Sequence, residues 1–370
     1  MKILVFIHSL SAGGAERVTA NLANYWAEKG WKITIVTMTS KEKDFYELHP
    51  TIRRIALHAD QKSSRLIAAI SHNFNRVKAL REVLKQEQPD IALAMMTTAN
   101  CLLALAASGT GIPTIGSEHI HPPAMPLGRV WKWLRKTTYS RLTVLTALTS
   151  KSAEWLRQNT WVKEVEIIQN AVPYPLDRQP PFVAPCEIVP ECRKLLLGVG
   201  RLAWQKGFDW LITAFGRLAG DFRDWDLAIV GDGPELETLR EMAARLNLSQ
   251  RIFFPGKVGN LRDWYEAADL YVMSSRFEGF GNTLAEALAH GLPAVSMDCD
   301  TGPRDIIRPG IDGLLTPPND VEALAQGVAT LMKDDKLRQQ MAARAVEARR
   351  RFSLEKISGQ WEALFMEILK

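Results

Sequence analysis

Short apolar runs, rich in β-branched residues, recur through the first half of the chain at residues 2–8, 32–38, 90–96 and 113–117. Between the first two runs, apolar positions repeat at helical spacing over residues 16–30, and Gly30 is a usual helix stop. Parallel strands that are buried on both faces have continuous apolar sequences. The pattern therefore predicts parallel strands that are connected by helices.

The second half of the chain repeats this alternation. Five more apolar runs predict strands at residues 194–200, 225–231, 251–256, 269–275 and 293–297. Helical periodicity between them predicts helices at residues 208–220, 234–247 and 282–291. Strands that alternate with helices in this way predict the α/β class, with two doubly wound, Rossmann-like domains that face each other across a cleft.

A proline-rich segment separates the two halves. Residues 169–193 show no helical or strand periodicity, which is typical of a linker. We therefore assign residues 1–170 to an N-terminal domain and residues 171–352 to a C-terminal domain. The last segment, residues 353–370, has the pattern of an amphipathic helix.

The composition, 46% apolar and 24% charged, is that of a soluble globular enzyme. Four scattered cysteines favour free thiols in a reducing, cytoplasmic compartment. Residues 1–17 do not resemble a signal peptide, because their apolar run is short and broken. The longest uncharged stretch, residues 91–117, contains polar residues, glycine and proline, so we interpret it as strand, helix and strand rather than a membrane span.

The positive charge is concentrated in the first half of the chain. Residues 1–175 contain 22 Lys and Arg against 13 Asp and Glu, whereas the remainder contains 24 against 28. A basic surface of this kind favours an anionic partner, which would be nucleic acid, a phosphorylated substrate or membrane headgroups. The sequence has no stacking or groove-reading module, which disfavours nucleic acid.

Two basic amphipathic segments, residues 64–86 and 126–142, carry the candidate contacts to such a partner. The candidates are Arg65, Arg76, Lys78, Arg81 and Lys85 in the first segment, and Arg129, Trp131, Lys132, Trp133, Arg135 and Lys136 in the second. Basic and aromatic residues on one helix suit an anionic membrane surface and a polyprenyl diphosphate. The alternative is that both segments are helices covering the sheet, with solvated basic faces.

Glycine-rich loops follow the predicted strands, at the sheet edge where ligands bind in doubly wound folds. Gly13 and Gly14 precede a helix and would let main-chain amides approach an anion, although such a pair is also common in tight turns. The GxGxxG motif of dinucleotide enzymes is not found there. In the loop at 200–207, Arg201 and Lys206 are placed to neutralise a diphosphate; the alternative is a solvated loop.

The segment RFEGFGN, residues 276–282, stands before a predicted helix. Asn282 is a predicted N-cap, and the amides of residues 279–283 would lie at the positive end of the helix dipole, which suits a phosphate. Glu286, one turn later, would accept hydrogen bonds from ribose hydroxyls, and Glu278 from a sugar. An acid in the first turn also favours the dipole by itself, which accounts for Glu286 but not for the whole group.

His119 follows Glu118 at the end of a predicted strand. There it would donate a hydrogen bond to a substrate or stabilise developing charge, although a lone histidine is more often structural. Asp298 and Asp300 resemble a metal-binding pair. Nothing near them in the sequence completes such a site, so we expect no obligatory metal.

Four motifs together resemble the retaining glycosyltransferases of family 4, which have the GT-B fold. They are GGAER at 13–17, GRLAWQKG at 200–207, GDGPE at 231–235 and the glutamate pair E-x7-E at 278 and 286. The similarity covers essentially the whole chain. The SEH motif at 117–119 and GPRDII at 302–307 are most similar to bacterial enzymes that build lipid-linked oligosaccharides, O-antigen or capsule, including GalNAc-adding ones.

The resemblance implies a role for each matching residue. Arg201 and Lys206 would bind the donor diphosphate. Glu286 would bind the ribose and Glu278 the hydroxyls of the donor sugar, while His119 would touch that sugar near its reacting carbon. Further donor contacts would come from Gly14, Gly279, Phe280, Gly281, Asn282 and Thr283. The C-terminal helix would cross back and pack on the first domain.

Two stretches depart from the family pattern. The interdomain stretch commonly reads NGVD, whereas this chain has Asn170, Ala171, Val172 and Pro173, so any contact from the aspartate is lost. The loop that often reads GGxxE has GPRD at 302–305, and its Arg304 leaves the choice of sugar open.

From the resemblance we expect retaining, metal-independent transfer of a hexose or an N-acetylhexosamine, with GalNAc as the first choice. The donor would be a UDP-sugar and the acceptor a polyprenyl-diphosphate-linked glycan. The enzyme would act at the cytoplasmic face of the plasma membrane, by peripheral association. Two alternatives stay open: a nucleotide-sugar 2-epimerase of the same fold, which would need acid/base carboxylates, and a non-catalytic subunit that binds sugar nucleotides.

Overall fold

The computed structural model describes residues 1–59, 66–125, 127–190 and 193–370, with the backbone alone for residues 66–71. Arg65, one of the candidate basic residues, lies outside these ranges. The chain divides into two compact units. The first unit comprises Met1–Ala171 and Leu354–Lys370, and the second comprises Val172–Ser353. The predicted boundaries, after residues 170 and 352, lie one residue from these limits.

In the described part of the first unit, seven parallel strands form one sheet. They are β1 (Lys2–Ile7), β2 (Lys32–Thr37), β3 (Arg53–Ala56), β4 (Ile91–Met95), β5 (Thr114–Glu118), β6 (Val144–Ala147) and β7 (Val165–Ile167). Their order across the sheet is β3-β2-β1-β4-β5-β6-β7. The central strands are wholly buried, as their continuous apolar sequences require.

Helices connect these strands and cover the sheet. They are α1 (Gly14–Glu28), α2 (Leu66–Glu87), α3 (Thr97–Ala106), α4 (Arg129–Thr138) and α5 (Ser150–Asn159). The C-terminal helix also belongs to this unit: Phe365 packs edge-on against Trp26 of α1, with ring centroids 5.3 Å apart. Lys29 and Glu362 add an ion pair at 2.7 Å. The last helix is therefore held by burial of its apolar face.

The described part of the second unit contains a parallel sheet of six strands. They are β8 (Lys194–Val199), β9 (Trp225–Val230), β10 (Ile252–Gly256), β11 (Leu270–Met273), β12 (Ala294–Met297) and β13 (Gly313–Thr316), in the order β10-β9-β8-β11-β12-β13. The helices are α6 (Pro185–Ile188), α7 (Phe208–Leu218), α8 (Leu236–Arg245), α9 (Leu261–Ala267), α10 (Asn282–Ala289), α11 (Pro303–Ile306), α12 (Val321–Lys333), α13 (Asp335–Ala345) and α14 (Ala348–Arg351). The C-terminal helix is α15 (Leu354–Ile368).

Both sheets are doubly wound, which confirms the predicted fold class. In each sheet the strand order reverses once, between β1 and β4 in the first unit and between β8 and β11 in the second. Ligands of such folds bind at this reversal, outside the carboxyl ends of the strands. The loops that follow these four strands are therefore the first places to look for a site.

Each of the nine predicted strands is observed, whereas four short strands were missed. β3, β6, β7 and β13 have only three or four residues, too few for a periodic signal.

The proline-rich segment is not a free linker, contrary to the prediction. Val183 N donates to Asn260 Oδ1 at 3.0 Å, and Asn260 Nδ2 and Trp264 Nε1 both donate to the Val183 carbonyl at 3.0 Å. Gly259 N donates to the Pro181 carbonyl at 2.7 Å. The segment is thus bound along the start of α9, because its main-chain groups find partners there.

Candidate functional site

In the second unit, the loops after β8 and β11 lie side by side at the strand-order reversal. The first loop ends in a 3₁₀ turn, Trp204–Lys206, and Gly207 is the N-cap of α7. Ser274 Oγ donates to the Lys206 carbonyl at 3.0 Å. Gly207 has φ +61°, and a Cβ on it would lie 2.2 Å from the Ser274 carbonyl oxygen. Only glycine therefore lets the two loops approach this closely.

Lys206 and Glu278 form an ion pair at the centre of these loops. Lys206 Nζ lies 2.5 Å from Glu278 Oε1, and Ser275 Oγ donates to the same oxygen at 2.7 Å. Glu278 is 6% exposed, and Thr301 Oγ1 donates to its carbonyl at 2.5 Å. Removing one partner of such a buried pair would leave an uncompensated charge. The pair therefore fixes both side chains before any ligand arrives.

Glu286 lies on α10 and is almost fully buried, with 1% exposure. Tyr265 Oη donates to Glu286 Oε2 at 3.1 Å, and Tyr271 Oη donates to Thr283 Oγ1 at 2.8 Å. Burial raises the pKa of Tyr271 far above its ordinary value, so its hydroxyl stays neutral. Sequence reasoning missed both tyrosines, because their partners are 12 and 21 residues away.

The start of α10 differs from the prediction. The N-cap is Gly281, without a side-chain cap, and Asn282 is the first helical residue. The amides of Leu284 and Ala285 both bond to the Gly281 carbonyl. Of the residues whose amides the prediction assigned to a phosphate, Asn282 and Thr283 lie in the first turn of α10, ahead of these two bonds. Phe280 contributes its side chain to the core, edge-on to Phe352 at 5.5 Å.

Arg201, which follows β8, and Arg304, which follows β12, differ in their partners. Arg201 is exposed and has no ion-pair partner among the described residues. Arg304 pairs through two hydrogen bonds with Asp298, at 2.9 and 2.7 Å. Asp298, one half of the metal-like pair, is thus bound to a guanidinium. Over the described ranges, no group of three or more His, Cys, Asp or Glu side chains is arranged to hold a metal.

In the first unit, His119 follows β5 and is held by a chain of hydroxyls. Thr146 Oγ1 donates to Ser117 Oγ at 2.8 Å, and Ser117 Oγ lies 3.1 Å from His119 Nε2. If Ser117 donates its own proton to Nε2, the ring proton is on Nδ1. Nδ1 is buried and has no hydrogen-bond partner among the described residues. In that tautomer the ring offers one N–H donor to a ligand.

Burial also keeps the His119 ring uncharged. Desolvation lowers the pKa of His119 to about 4. At neutral pH the ring is then a neutral donor and not an imidazolium. It is suited to a polar, uncharged acceptor such as a hydroxyl or carbonyl oxygen.

Glu118 supports the backbone beside His119 from the opposite face of the strand. Its carboxyl group accepts hydrogen bonds from Thr97 Oγ1 at 2.8 and 3.0 Å and from Tyr139 Oη. Burial raises the pKa of Glu118, although the two hydroxyl donors oppose this rise. These partners come from α3 and from the turn after α4, and no sequence pattern pointed to them.

The predicted glycine pair lies at the start of α1, with Gly13 as N-cap. The Glu16 carboxylate folds back against it: a Cβ on Gly13 would lie 2.2 Å from Glu16 Oε2. Ser9 Oγ donates to Glu16 at 3.4 Å, and burial raises the pKa of Glu16. A carboxylate of the chain itself thus lies where the prediction placed an anionic ligand next to Gly14.

Five of the candidate acceptor and membrane residues have different environments: Arg76, Arg81, Trp131, Lys132 and Arg135. Arg76 donates to the Ala59 carbonyl at 2.7 Å, and Arg81 to the carbonyls of Ala106 and Ser108 at 3.0 and 2.8 Å. Trp131 packs against two core clusters. Arg135 is 5% exposed, with its guanidinium 4.7 Å from the Trp155 ring centroid. Only Lys132 of the five is exposed, so the others do not fit direct contact with a membrane surface.

Lys132 belongs to an exposed set of side chains on the outer surface of α4, which also includes Arg129, Trp133 and Lys136 of the predicted basic segment. The α4 surface, as we name it, consists of Arg129, Val130, Lys132, Trp133, Lys136 and Trp161. Trp133 is 63% and Trp161 58% exposed, and Lys136 Nζ lies 5.9 Å from the Trp161 ring centroid. Two exposed indoles among three cations are unusual on a surface that only meets water.

Comparisons with known proteins show the family to which the chain belongs. The family model of glycosyl transferases group 1 matches residues 187–348, and the model of Glycosyltransferase Family 4 matches residues 12–174. The chain belongs to the GT-B glycosyltransferases. The two family models divide within the proline-rich segment: the second covers β2 to β7, and the first covers β8 to β13.

Relatives of the chain include glycosyltransferases of bacterial glycan biosynthesis, and a solved structure has the same fold. An uncharacterized glycosyltransferase of Haemophilus influenzae is 28% identical over 98% of this chain and 99% of its own length. The Campylobacter jejuni GalNAc-α-(1→4)-GalNAc-α-(1→3)-diNAcBac-PP-undecaprenol α-1,4-N-acetyl-D-galactosaminyltransferase is 27% identical over 100% and 99%. The crystal structure of Anabaena HepE in complex with UDP and glucose has a TM-score of 0.79 at 20% identity, over 99% of both chains.

Proposed function

We propose that this glycosyltransferase moves a hexose or an N-acetylhexosamine, with GalNAc as the first candidate, from a UDP-sugar to a polyprenyl-diphosphate-linked glycan, with retention and without a metal. The observation that carries the proposal is the Lys206–Glu278 pair at the strand-order reversal of the second unit, with Glu286 one turn into the adjacent helix. The Campylobacter relative, named as a GalNAc transferase on an undecaprenol-linked acceptor, supports the choice of sugar and acceptor.

The second unit would bind the donor through charge. Lys206, the exposed Arg201 and the first amides of α10 would neutralise the diphosphate. Glu286 would accept hydrogen bonds from the ribose, since its carboxylate is fixed by Tyr265. Glu278 would accept hydrogen bonds from hydroxyls of the donor sugar. These bonds would partly replace its contact with Lys206.

The transfer step would use the leaving group itself as the base. The bond between the sugar C1 and the diphosphate oxygen breaks as the acceptor oxygen bonds to C1 on the same face. The acceptor hydroxyl proton passes to the departing diphosphate oxygen, and UDP leaves. Fixed positive charge on the diphosphate stabilises the charge that develops there. The reaction then needs no separate protein base.

His119 would contribute a neutral hydrogen bond. Its Nδ1–H has no partner among the described residues, and the ring is uncharged at neutral pH. A sugar hydroxyl oxygen near the reacting carbon would accept this bond. A neutral donor orients a hydroxyl without attracting the diphosphate away from its cations.

A panel of UDP-sugars tests the proposal most widely. Each is incubated with the protein and a polyprenyl-diphosphate-linked acceptor, and the products are measured by mass spectrometry and anomeric NMR. The proposal expects one N-acetylhexosamine added with the donor's α configuration, and unchanged activity in EDTA. Isomerisation of the donor without transfer would favour the epimerase, and neither reaction would favour the non-catalytic subunit. Loss of activity in EDTA would contradict metal independence.

The α4 surface supports peripheral membrane association. Indole side chains prefer the interface of a bilayer, and lysine and arginine add attraction to anionic lipids. No helix among the described residues has the length and hydropathy needed to cross a bilayer.

Vesicle flotation tests the α4 surface. We expect the wild type to float with vesicles that contain anionic lipid, and a Trp133→Ser/Trp161→Ser variant to stay largely in the pellet fraction. Phe182→Ser is a matched control, because Phe182 is 61% exposed but belongs to the second unit. Equal flotation of all three proteins would remove the membrane proposal for this surface.

A further inference from the structure

Arg276 connects the two loops that carry Lys206 and Glu278. Its guanidinium makes two hydrogen bonds to the Asp209 carboxylate, from Nη1 to Oδ1 at 2.9 Å and from Nη2 to Oδ2 at 2.6 Å. Nη1 also donates to the Trp204 carbonyl at 2.6 Å. Trp204 lies two residues before Lys206 and Asp209 three residues after it. Arg276 therefore holds the Lys206 loop at both of its ends.

Two indoles enclose the same guanidinium. Arg276 Cζ lies 3.9 Å from the ring centroid of Trp210 and 4.7 Å from that of Trp204. The Arg276 side chain is 11% exposed, although Trp204 itself is 61% exposed. Cation–π contact and the bidentate carboxylate together fix the plane of the guanidinium. An otherwise exposed turn is thereby held in one position.

The main chain reinforces this connection. Arg276 N donates to the Gln205 carbonyl at 2.8 Å, and Gln205 Nε2 donates to the Phe277 carbonyl at 3.0 Å. These bonds lie immediately beside Lys206 in one loop and Glu278 in the other. A displacement of either loop would separate Lys206 Nζ from Glu278 Oε1, which are 2.5 Å apart.

We propose that Arg276 is a positioning residue for the donor site, and that it acts through Lys206 and Glu278 without touching the donor. The inference rests on the proposed function. The Arg276 charge is already neutralised by Asp209, so it is not placed to bind phosphate itself. Arg276 fixes the position of the Lys206 loop relative to the Glu278 loop. This matters for catalysis because small displacements of binding groups greatly reduce the rate.

Arg338 provides a matched control in the same unit. Its side chain is 9% exposed, Nη2 lies 2.7 Å from Asp335 Oδ1, and Nη1 donates to the Leu331 carbonyl at 2.8 Å. Its guanidinium also lies 5.0 Å from the Trp225 ring centroid. Trp225 is the first residue of β9, so this arginine is at the amino edge of the sheet, away from the donor loops.

The experiment compares Arg276→Ala, Arg276→Lys and Arg338→Ala with the wild type. For Arg276→Ala we expect UDP affinity, measured by calorimetry, to fall about 10-fold and kcat about 100-fold. Arg276→Lys keeps the charge but not the planar fork, so it recovers only part of the loss. Arg338→Ala should lose comparable thermal stability and keep UDP affinity and kcat within about twofold of the wild type.

Hydrogen exchange tests the connection without any ligand. In Arg276→Ala the amides of residues 200–207 and 274–281 should exchange faster than in Arg338→Ala. Unchanged exchange in both segments, or unchanged UDP affinity and kcat in Arg276→Ala, would overturn the inference. So would equal losses of affinity in Arg276→Ala and Arg338→Ala, which would show a merely structural role. A wild type that binds no UDP would instead overturn the proposed function.

Discussion

The two sheets share the same pattern of strand order, but the side chains at their carboxyl edges are held in different ways. In the second unit, Lys206 and Glu278 are charged groups that compensate each other, and Arg276 with Asp209 is a second ion pair behind them. In the first unit, His119 is uncharged and is held by the hydroxyls of Ser117 and Thr146.

This difference indicates what each edge can bind. Paired charges can be shared with an anionic ligand: a diphosphate bound to Lys206 would draw that cation from Glu278, and hydrogen bonds from sugar hydroxyls would then have to compensate the buried carboxylate. A neutral, buried ring cannot compensate an anion, but it can orient a hydroxyl through Nδ1, which has no partner in the part of the chain that the structure describes. The charged edge therefore suits the nucleotide diphosphate, and the neutral edge suits a sugar.

The largest effect is expected at the charged edge. Glu278→Gln keeps the shape of the side chain but removes the charge that pairs with Lys206 and accepts sugar hydroxyls. We expect kcat/KM to fall roughly 1,000-fold, as when a transition-state contact is lost. Glu237→Gln, which changes an exposed glutamate on α8, is the control. Wild-type turnover of Glu278→Gln, with a folded protein by circular dichroism, would contradict the role of the pair.

At the neutral edge, two variants separate the nitrogens of His119. Glutamine places its amide near Nε2 and keeps the contact with Ser117, whereas asparagine places its amide near Nδ1. If the unused Nδ1–H binds the sugar, His119→Gln should lose roughly 100-fold in kcat. His119→Asn should retain more activity than His119→Gln. The reverse order of the two variants would assign the function to Nε2.

A smaller effect is expected behind His119. Tyr139→Phe removes one hydroxyl donor from the buried Glu118 carboxyl group, and the loss should cost about 1–3 kcal/mol of unfolding free energy. Because Tyr139 acts only through the strand, kcat should fall by about 10-fold or less. Denaturant unfolding and steady-state kinetics measure both. A loss of kcat as large as that of Glu278→Gln would contradict a role for Tyr139 that is limited to holding the strand.

The smallest expected effect is on the pH dependence of stability. The folded-state pKa of His119 is about 4, below its ordinary value of 6.5. As pH falls below 6.5 the unfolded state takes up the proton first, so stability is lost towards pH 4. Between pH 6.5 and 5.5 the wild type should lose about 1 kcal/mol more than His119→Gln. Glu118 is present in both proteins, so its contribution to the pH dependence of stability largely cancels in the comparison. If the wild type and His119→Gln lost the same stability between pH 6.5 and 5.5, the result would contradict a neutral, buried His119 ring.

Much of the fold could be predicted because buried parallel strands leave a continuous apolar signal. Runs such as residues 2–8 and 194–200 became central strands. β7, with three residues of which two are exposed, leaves no such signal. The proline-rich segment was misjudged for another reason: proline and missing periodicity indicate irregular backbone, but not whether side chains such as Asn260 bind it.

For the site, residues on the loops themselves could be predicted and their supports could not. Lys206, Glu278 and Glu286 stand in motifs with fixed spacing. Tyr265 and Arg276 contact partners on other elements, and a single sequence carries no sign of such pairs. The basic helix shows the same limit, since composition alone did not distinguish the buried Arg135 from the exposed Lys132.

A crystal structure with UDP bound tests the central claim most directly. The account predicts that the diphosphate contacts Lys206 and the first amides of α10, and that the ribose hydroxyls bond to Glu286. Glu278 should then have exchanged at least one oxygen from Lys206 to solvent or ligand. A nucleotide bound elsewhere on the second unit, with the Lys206–Glu278 pair undisturbed at 2.5 Å, would contradict it.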